Sequence, residues 1–275
     1  CLLQTMSDLL AHVESVWQAV VADLPGFTVE VLPSIDSTNS ELMRRARAGL
    51  MEPVLLAAEE QTAGRGRLGK GWHSKAGQSL TFSLALPLAP ADWSGLSLAV
   101  GVSLAESLHP DVQLKWPNDL WLHQRKLGGI LVETASNGLL AGDATAHQRL
   151  VVVGVGINIA RPETAVVSAL DSPDAVLPAM APAGLSEVLV GLTAGEALAR
   201  VAPALVRDIQ AFESQGFTAF AERFARRDAL QGQSVRLSDG TQGTACGVSP
   251  QGALLVQTDQ GMQAVTSSEV SVRPC

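Results

Sequence analysis

The sequence predicts an α+β protein: a mixed, largely antiparallel sheet flanked by helices, followed by a small C-terminal β-barrel. Three observations predict it. Three short β-prone runs, 111–116, 119–123 and 127–135, follow one another with only Pro117-Asn118 and Gln124-Arg125 between them, which is the pattern of an antiparallel meander. Segments with helical apolar spacing are interleaved with the β-prone ones rather than segregated from them. At Asp228 the composition changes abruptly to short alternating runs separated by turn signals at Ser238-Asp239-Gly240, Gln251-Gly252 and Gln260-Gly261, as in a small barrel.

Taken in order, residues 6–22 carry apolar side chains at helical spacing, and Pro25-Gly26 ends that run. The stretch FTVEVLPSI (27–35) reads as a strand, and Asp36-Ser37-Thr38-Asn39 caps a helix that extends to Ala48. Residues 53–59 and 79–86 are buried strands on either side of a glycine- and arginine-rich loop, 61–75. A helix of small apolar residues, 94–108, leads into the meander. A polar segment, 136–149, precedes the hydrophobic strand 150–160, and a loop rich in Pro and Ala, 161–183, leads to two helices, 185–205 and 207–227. The domain boundary is placed there: a catalytic unit over 1–227 and a barrel over 228–275.

With 275 residues and 47% hydrophobic content, the chain can bury one full-sized core and still form a small second domain. A net charge of −8 argues against a surface devoted to nucleic acid, whose binding needs Lys and Arg against phosphates, so any anion site must be a local cationic patch. Three cysteines, Cys1, Cys246 and Cys275, fit a reducing, cytoplasmic location. The N-terminal segment lacks a basic leader and reads as an amphipathic helix, and no uncharged apolar run of about 18 residues marks a membrane span. The five histidines and three cysteines show no metal-site spacing, and P-loop, dinucleotide-fold and Gly-x-Ser-x-Gly signatures are all missing.

Chemistry concentrates in a few segments. In Gln61 through Trp72 four glycines alternate with Arg65, Arg67 and Lys70; glycine lets backbone amides approach an anion while the cations supply charge. By composition alone the same loop is equally a solvated basic surface. Lys115-Trp116-Pro117-Asn118-Asp119 places an amide and a carboxylate at a strand end, positioned for a polar ligand or a metal, although Pro-Asn-Asp is also ordinary turn chemistry. Lys126 opens the strand containing Gly128 and Gly129, and Gly154-Val155-Gly156-Ile157-Asn158 repeats the glycine pattern in the next. Facing glycines make a slot for a flat apolar ligand, or mark a bulge or close strand packing.

Together, Asp36–Asn39, Gln61–Trp72, Lys115–Asp119, Lys126–Glu133 and Gly154–Asn158 resemble the biotin–protein ligase family in order and separation. The β-rich tail from about 229 is similar to that family's SH3-like domain. The resemblance implies the class II aminoacyl-tRNA synthetase/biotin ligase fold and a ligase that makes biotinyl-5′-AMP from biotin and ATP with Mg2+, then biotinylates a lysine of a biotin carboxyl carrier domain. By the same resemblance, Ser37, Thr38 and Asn39 line the biotin end. Gln61, Arg65, Gly66 and Arg67 contact biotin or its activated carboxyl, with Gly128 and Gly129 in the substrate slot. Lys126 holds the reacting carboxylate and α-phosphate, and Arg67 and Lys126 are the catalytic pair. Trp72, Lys115, Asn118 and Asn158 lie by the nucleotide or adenylate, and Asp119 by its magnesium ion. Lys70 and Gly71 depart from the family pattern, which carries a second arginine and a basic residue there; a lysine keeps the charge but loses the planar fork. Only about 35 residues precede Asp36, too few for the helix-turn-helix of the repressor-type members, so no operator binding is expected; a monomer or weak homodimer is the expected assembly. Lipoate or octanoate ligases of the same fold, and a non-catalytic biotin- or nucleotide-sensing regulator, are the alternatives.

Overall fold

The structure, a computed structural model, describes residues 7–135, 148–162, 181–266 and 272–274. Most of the expected polar segment 136–149 and proline-rich loop 161–183 lies outside the described residues. Strands β1 (Thr28–Ile35), β2 (Val54–Gln61), β5 (Ser79–Leu88), β6 (Val112–Lys115), β7 (Asp119–Leu122), β8 (Arg125–Ala135) and β9 (Arg149–Asn158) form a seven-stranded sheet in the order β1-β2-β5-β9-β8-β7-β6. Every neighbouring pair is antiparallel except β1 and β2, which are parallel because the helix α3 (Thr38–Arg47) supplies the crossover between them. Short strands β3 (Gly64–Arg65) and β4 (Gly71–Trp72) make a separate two-stranded ribbon, so the expected loop 61–75 is largely a hairpin.

Period-2 alternation assigns the two faces of the sheet. In β9, Val151, Val153, Val155 and Ile157 join the main core beneath helices α1 (Asp8–Ala11), α2 (Val13–Val20), α4 (Leu96–Leu108) and α5 (Ala194–Gln215). Leu150 and Val152 point the other way and pack under Leu42, Met43 and Ala46 of α3. Gly154 continues that second face beneath Asn39 at the start of α3, and Gly156 and Asn158 carry it on beyond the helix.

Two helical expectations are corrected. The N-terminal helix breaks at His12, whose ring Nδ1 lies 2.8 Å from the Asp8 carbonyl oxygen. The expected helices 185–205 and 207–227 are instead a 3-10 turn at Leu185–Glu187, the single helix α5, a second 3-10 turn at Phe217–Phe220 and the short helix α6 (Ala221–Ala225). Helix α5 starts in a reciprocal Thr193/Glu196 cap and stops at Gly216, whose φ is 65°. It passes through Pro203 without ending because Leu198, Val201, Ala202, Leu205, Val206, Ile209 and Phe212 keep one face buried on both sides of the proline.

Strands β10 (Ser234–Leu237), β11 (Gln242–Val248), β12 (Leu254–Thr258), β13 (Gly261–Val265) and β14 (Val272–Pro274) form the five-stranded C-terminal sheet, order β13-β12-β11-β10-β14. Its turns fall where the sequence places them, at Gly240, Gly252 and Gly261, all with positive φ. The connection to the larger sheet is hydrogen-bonded: Leu114 N–H donates to the Arg227 carbonyl (2.8 Å), Ala229 N–H donates to the Leu114 carbonyl (2.9 Å), and Trp116 Nε1 donates to the Gly252 carbonyl (3.0 Å).

Candidate active site

A cavity of about 460 Å3 opens on the uncovered part of the second face. Its floor follows from strand register. Thr81, Gly156, Gly129, Asp119 and Lys115 are direct partners in sequence across β5, β9, β8, β7 and β6, and thus form one row on one face. Ser83, Gly154 and Leu131 form the next row. Glycines at three of these positions leave a shallow trough, and its two β9 glycines are used by specific neighbours. A Cβ on Gly154 would lie 2.3 Å from Asn39 Oδ1, and one on Gly156 would lie 2.4 Å from Cε2 of the Trp72 ring.

One end of the trough is polar and buried. Ser37 caps α3, accepting from Ser40 N–H at 3.3 Å, and so places Thr38 and Asn39 at the helix start. Thr38 donates its backbone N–H to Gln61 Oε1 (2.7 Å), and its hydroxyl lies 3.1 Å from the same oxygen and 2.8 Å from Ser83 Oγ. Ser83 Oγ donates to Asn39 Oδ1, and Asn39 Nδ2 donates to Glu133 Oε2, both at 2.8 Å. Asp36, just before the cap, holds the Arg44 guanidinium through both oxygens, at 2.7 and 2.9 Å. That pairing keeps the Asp36 carboxyl well below the usual range, at about 2.

The other end is cationic. Lys126 Nζ pairs with Asp119 Oδ1 at 2.7 Å, and Lys115 Nζ sits 5.2 Å from the centre of the Trp121 ring. Asn118 is held by a reciprocal pair with Ile130, its Nδ2 donating to the Ile130 carbonyl (2.8 Å) while its own carbonyl accepts from Ile130 N–H (2.9 Å). Its side-chain oxygen accepts from Arg67 Nη1 at 3.3 Å. Burial lowers the Arg67 guanidinium pKa from its ordinary value, and the nearby Asp119 charge acts in the opposite sense. Asn158 donates to the Ala183 carbonyl at 3.0 Å.

The β3–β4 ribbon closes the top. Gly64 pairs with Trp72 and Arg65 with Gly71, and beyond them the tip turns through Leu68 and Gly69, with φ of 55° and 71°. The ribbon thereby puts Arg65, Gly66, Arg67, Lys70 and Trp72 on the cavity wall. Trp72 Nε1 is buried without a hydrogen-bond partner.

The cavity brings together the sequence-predicted residues Ser37, Thr38, Asn39, Gln61, Arg65, Gly66, Arg67, Trp72, Lys115, Asn118, Asp119, Lys126, Gly129 and Asn158. Gly128 does not line it. A Cβ there would meet the Gly156 carbonyl oxygen at 2.5 Å, so this glycine permits close strand approach beside the β7–β8 register shift. Sequence reading gave Ser83 and Glu133 no role. The alternation Ser79-Leu80-Thr81-Phe82-Ser83-Leu84 was the available signal, since a central strand with Ser and Thr on one face needs something polar above it.

Among the described residues, no group of three His, Cys, Asp or Glu side chains converges to hold a metal, and no helix is long and apolar enough to cross a membrane. Asp119 is the carboxylate on the cavity wall. One carboxylate fits a magnesium ion that keeps its waters and is carried mainly by substrate phosphates.

A trough joining a buried polar pocket to a cationic end, on a mixed sheet followed by a five-stranded C-terminal sheet, makes a binding site for an elongated ligand with a compact polar head and an anionic end. The chain belongs to the biotin/lipoate A/B protein ligase family, which it matches over residues 31–158; residues 231–273 match the biotin protein ligase C terminal domain. It is 35% identical over 265 residues to the bifunctional ligase/repressor BirA of Escherichia coli, covering 92% of this chain and 77% of that one. It is 30% identical over 256 residues to the biotin--[acetyl-CoA-carboxylase] ligase of Paracoccus denitrificans, covering 87% and 98%. The biotin protein ligase from Aquifex aeolicus in complex with biotin and ATP superposes with a TM-score of 0.69 at 27% identity, covering 90% of this chain and 99% of that one.

Proposed function

We propose that this protein is a biotin–protein ligase: it activates biotin with ATP to biotinyl-5′-AMP, then transfers the biotinyl group to a lysine of a biotin carboxyl carrier domain. The observation that carries the reading is the trough itself, polar and buried at one end and cationic at the other. Biotin has the same polarity, with a compact neutral ring at one end of an apolar tail and a carboxylate at the other.

In the first step a biotin carboxylate oxygen attacks the α-phosphorus of ATP, the bond to the β-phosphate bridging oxygen breaks, and pyrophosphate leaves. Positioning and charge neutralisation dominate such a step, so Lys126 and Arg67 serve as the catalytic pair by drawing the two anions together. Asp119 neutralises Lys126 in the substrate-free site, and the reacting anions compete for that lysine. Lys115, Asn118, Trp72 and Asn158 are assigned to the nucleotide, and Asp119 to the magnesium ion it brings, which would screen the phosphate charge. In the second step the acceptor lysine, as free amine, attacks the acyl carbon and AMP departs with the bonding electrons. The β3–β4 ribbon, by covering the trough, limits the access of water to the mixed anhydride.

We assign residues 1–227 to the catalytic unit and 228–275 to the SH3-like barrel, and infer a cytoplasmic protein that acts as a monomer or weak dimer. The net charge of −8 weighs against DNA as a partner. The deciding experiment is mass spectrometry of a biotin carboxyl carrier domain after incubation with the protein, biotin and Mg-ATP. A lysine carrying biotin is expected. An unmodified carrier, or one modified only when lipoate replaces biotin, overturns the assignment.

A further inference from the structure

We propose that Glu133 is a positioning residue that fixes the donor–acceptor sense of the buried polar pocket, acting through Asn39 and Ser83 on Thr38. This inference rests on the biotin reading for its ligand, but its physical core is independent of it. The carboxylate sits at the junction of two elements: Oε2 accepts from Asn39 Nδ2 of α3, and Oε1 accepts from Arg65 Nη2 of the ribbon, both at 2.8 Å. Arg65 also reaches Ser40 Oγ at 3.0 Å, so the carboxylate ties the ribbon to the helix.

An ionised carboxylate offers acceptors only. Asn39 must therefore turn its NH2 toward Glu133 and its oxygen toward Ser83. Ser83 has one hydroxyl hydrogen, and it is committed to Asn39 Oδ1. Against Thr38, 2.8 Å away, the Ser83 oxygen is then left as an acceptor. Thr38 spends its own hydrogen on Ser83 or on Gln61 Oε1, and faces the cavity with lone pairs alone. The carboxylate at position 133, aided by the longer 3.5 Å bond from the same Asn39 Nδ2 to the Leu131 carbonyl, thus sets the direction of three successive hydrogen bonds. The pocket accepts N–H groups at Thr38, as the ureido ring of biotin requires, and refuses a ligand that presents an acceptor there.

An amide at 133 removes this constraint. Gln can donate to Asn39 Oδ1, which turns the Asn39 amide over and reverses Ser83, so that the Ser83 hydrogen takes a Thr38 lone pair the ligand N–H would use, while the Thr38 hydrogen stays on Gln61 Oε1. Glu133→Gln is expected to weaken biotin binding about tenfold or more, the cost of a mismatched buried hydrogen bond. The KM for biotin rises with it, while the KM for ATP stays near the wild-type value. Glu133→Asp, still acceptor-only, retains most of the affinity.

The test is a double-mutant cycle on biotin Kd by calorimetry, using Glu133→Gln and Ser83→Ala in the full chain. Removing the Ser83 hydroxyl cuts the relay, so the Glu133→Gln effect is expected to vanish in the Ser83→Ala background. Equal effects of Glu133→Gln in the two backgrounds overturn the relay. Neutron diffraction on the wild-type protein tests the direction without mutation: a deuteron on Ser83 Oγ aimed at Asn39 is expected, and one aimed at Thr38 overturns the proposal. A wild-type protein that does not bind biotin overturns the functional assignment instead, and leaves the neutron result to decide the hydrogen-bond sense.

Discussion

Gly156→Ala is expected to disable the site while sparing the fold. Its Cβ would lie 2.4, 2.7 and 2.9 Å from Cε2, Cζ2 and Cδ2 of Trp72, against the roughly 3.5–4.0 Å of ordinary carbon contacts, so the ring must retreat by about 1 Å. Trp72 is paired with Gly64 in the ribbon that carries Arg65 and Arg67, and the displacement passes to those cations. Overpacking of this kind costs about 1–3 kcal/mol when the surroundings are rigid. Here the ribbon lies at the surface and yields, which transfers the cost from stability to geometry. A misplacement of about 1 Å at a reacting centre lowers rates by about 100-fold. Biotin-dependent ATP–pyrophosphate exchange should fall by about that factor, while the melting temperature changes by only a few degrees, the equivalent of about 1 kcal/mol in a chain of this size. Exchange within about twofold of wild type would refute the reasoning, because it would mean that Trp72 does not hold the ribbon in its working position.

The adjacent strand gives the opposite expectation: Gly128→Ala drives a Cβ to 2.5 Å from the Gly156 carbonyl oxygen, which no side-chain motion relieves, so its melting temperature should drop by several degrees in calorimetry. Arg67→Gly removes a half-buried cation from the carboxyl end and should release biotinyl-AMP faster than wild type, seen as biotinylation of bystander lysines. Bystander labelling no greater than that of wild type would contradict it. Lys126→Ala removes the partner of Asp119 and should cut pyrophosphate release by about 100-fold or more with little loss of stability, since the pair is partly exposed. The Asp36–Arg44 pair should confer acid-sensitive stability. The folded pKa of Asp36, about 2, is below its ordinary value of 3.8, so the contribution is present above about pH 4 and is lost as pH falls toward 2. Asp36→Asn should thus unfold more easily than wild type at pH 7 and equally at pH 2 in denaturant titrations.

Strand positions were legible because period-2 patterning and turn residues are local: Pro117-Asn118, Gly240, Gly252 and Gly261 all punctuate the chain as read. The trough was partly legible too, through the glycine pairs, but their division of labour was not. Gly156, Gly154 and Gly129 share a face only because of the register of β5, β7, β8 and β9, and Gly128 points elsewhere; register is a property of the assembled sheet. Helix α5 was misread for a related reason: the sequence reading starts a helix at 185 and breaks it after 205, whereas the continuous burial of one face from Leu198 to Phe212 carries a single helix from Ala194 to Gln215. Glu133, named only as the end of a motif, was given no role because an acidic residue in a strand has no meaning until Asn39 and Arg65 are seen to converge on it.

The hydrogen bonds between Leu114 and residues 227 and 229 run along the free margin of β6, the last strand of the large sheet, and act as a selvedge for it. A protein shortened just before the barrel would therefore bare a strand able to recruit another molecule, and would strip the Trp116 indole of its acceptor one residue from the Pro117-Asn118 corner. Excising the tail to obtain a minimal enzyme should yield aggregates unless the cut is made beyond Ala229 and a new acceptor is provided for that indole.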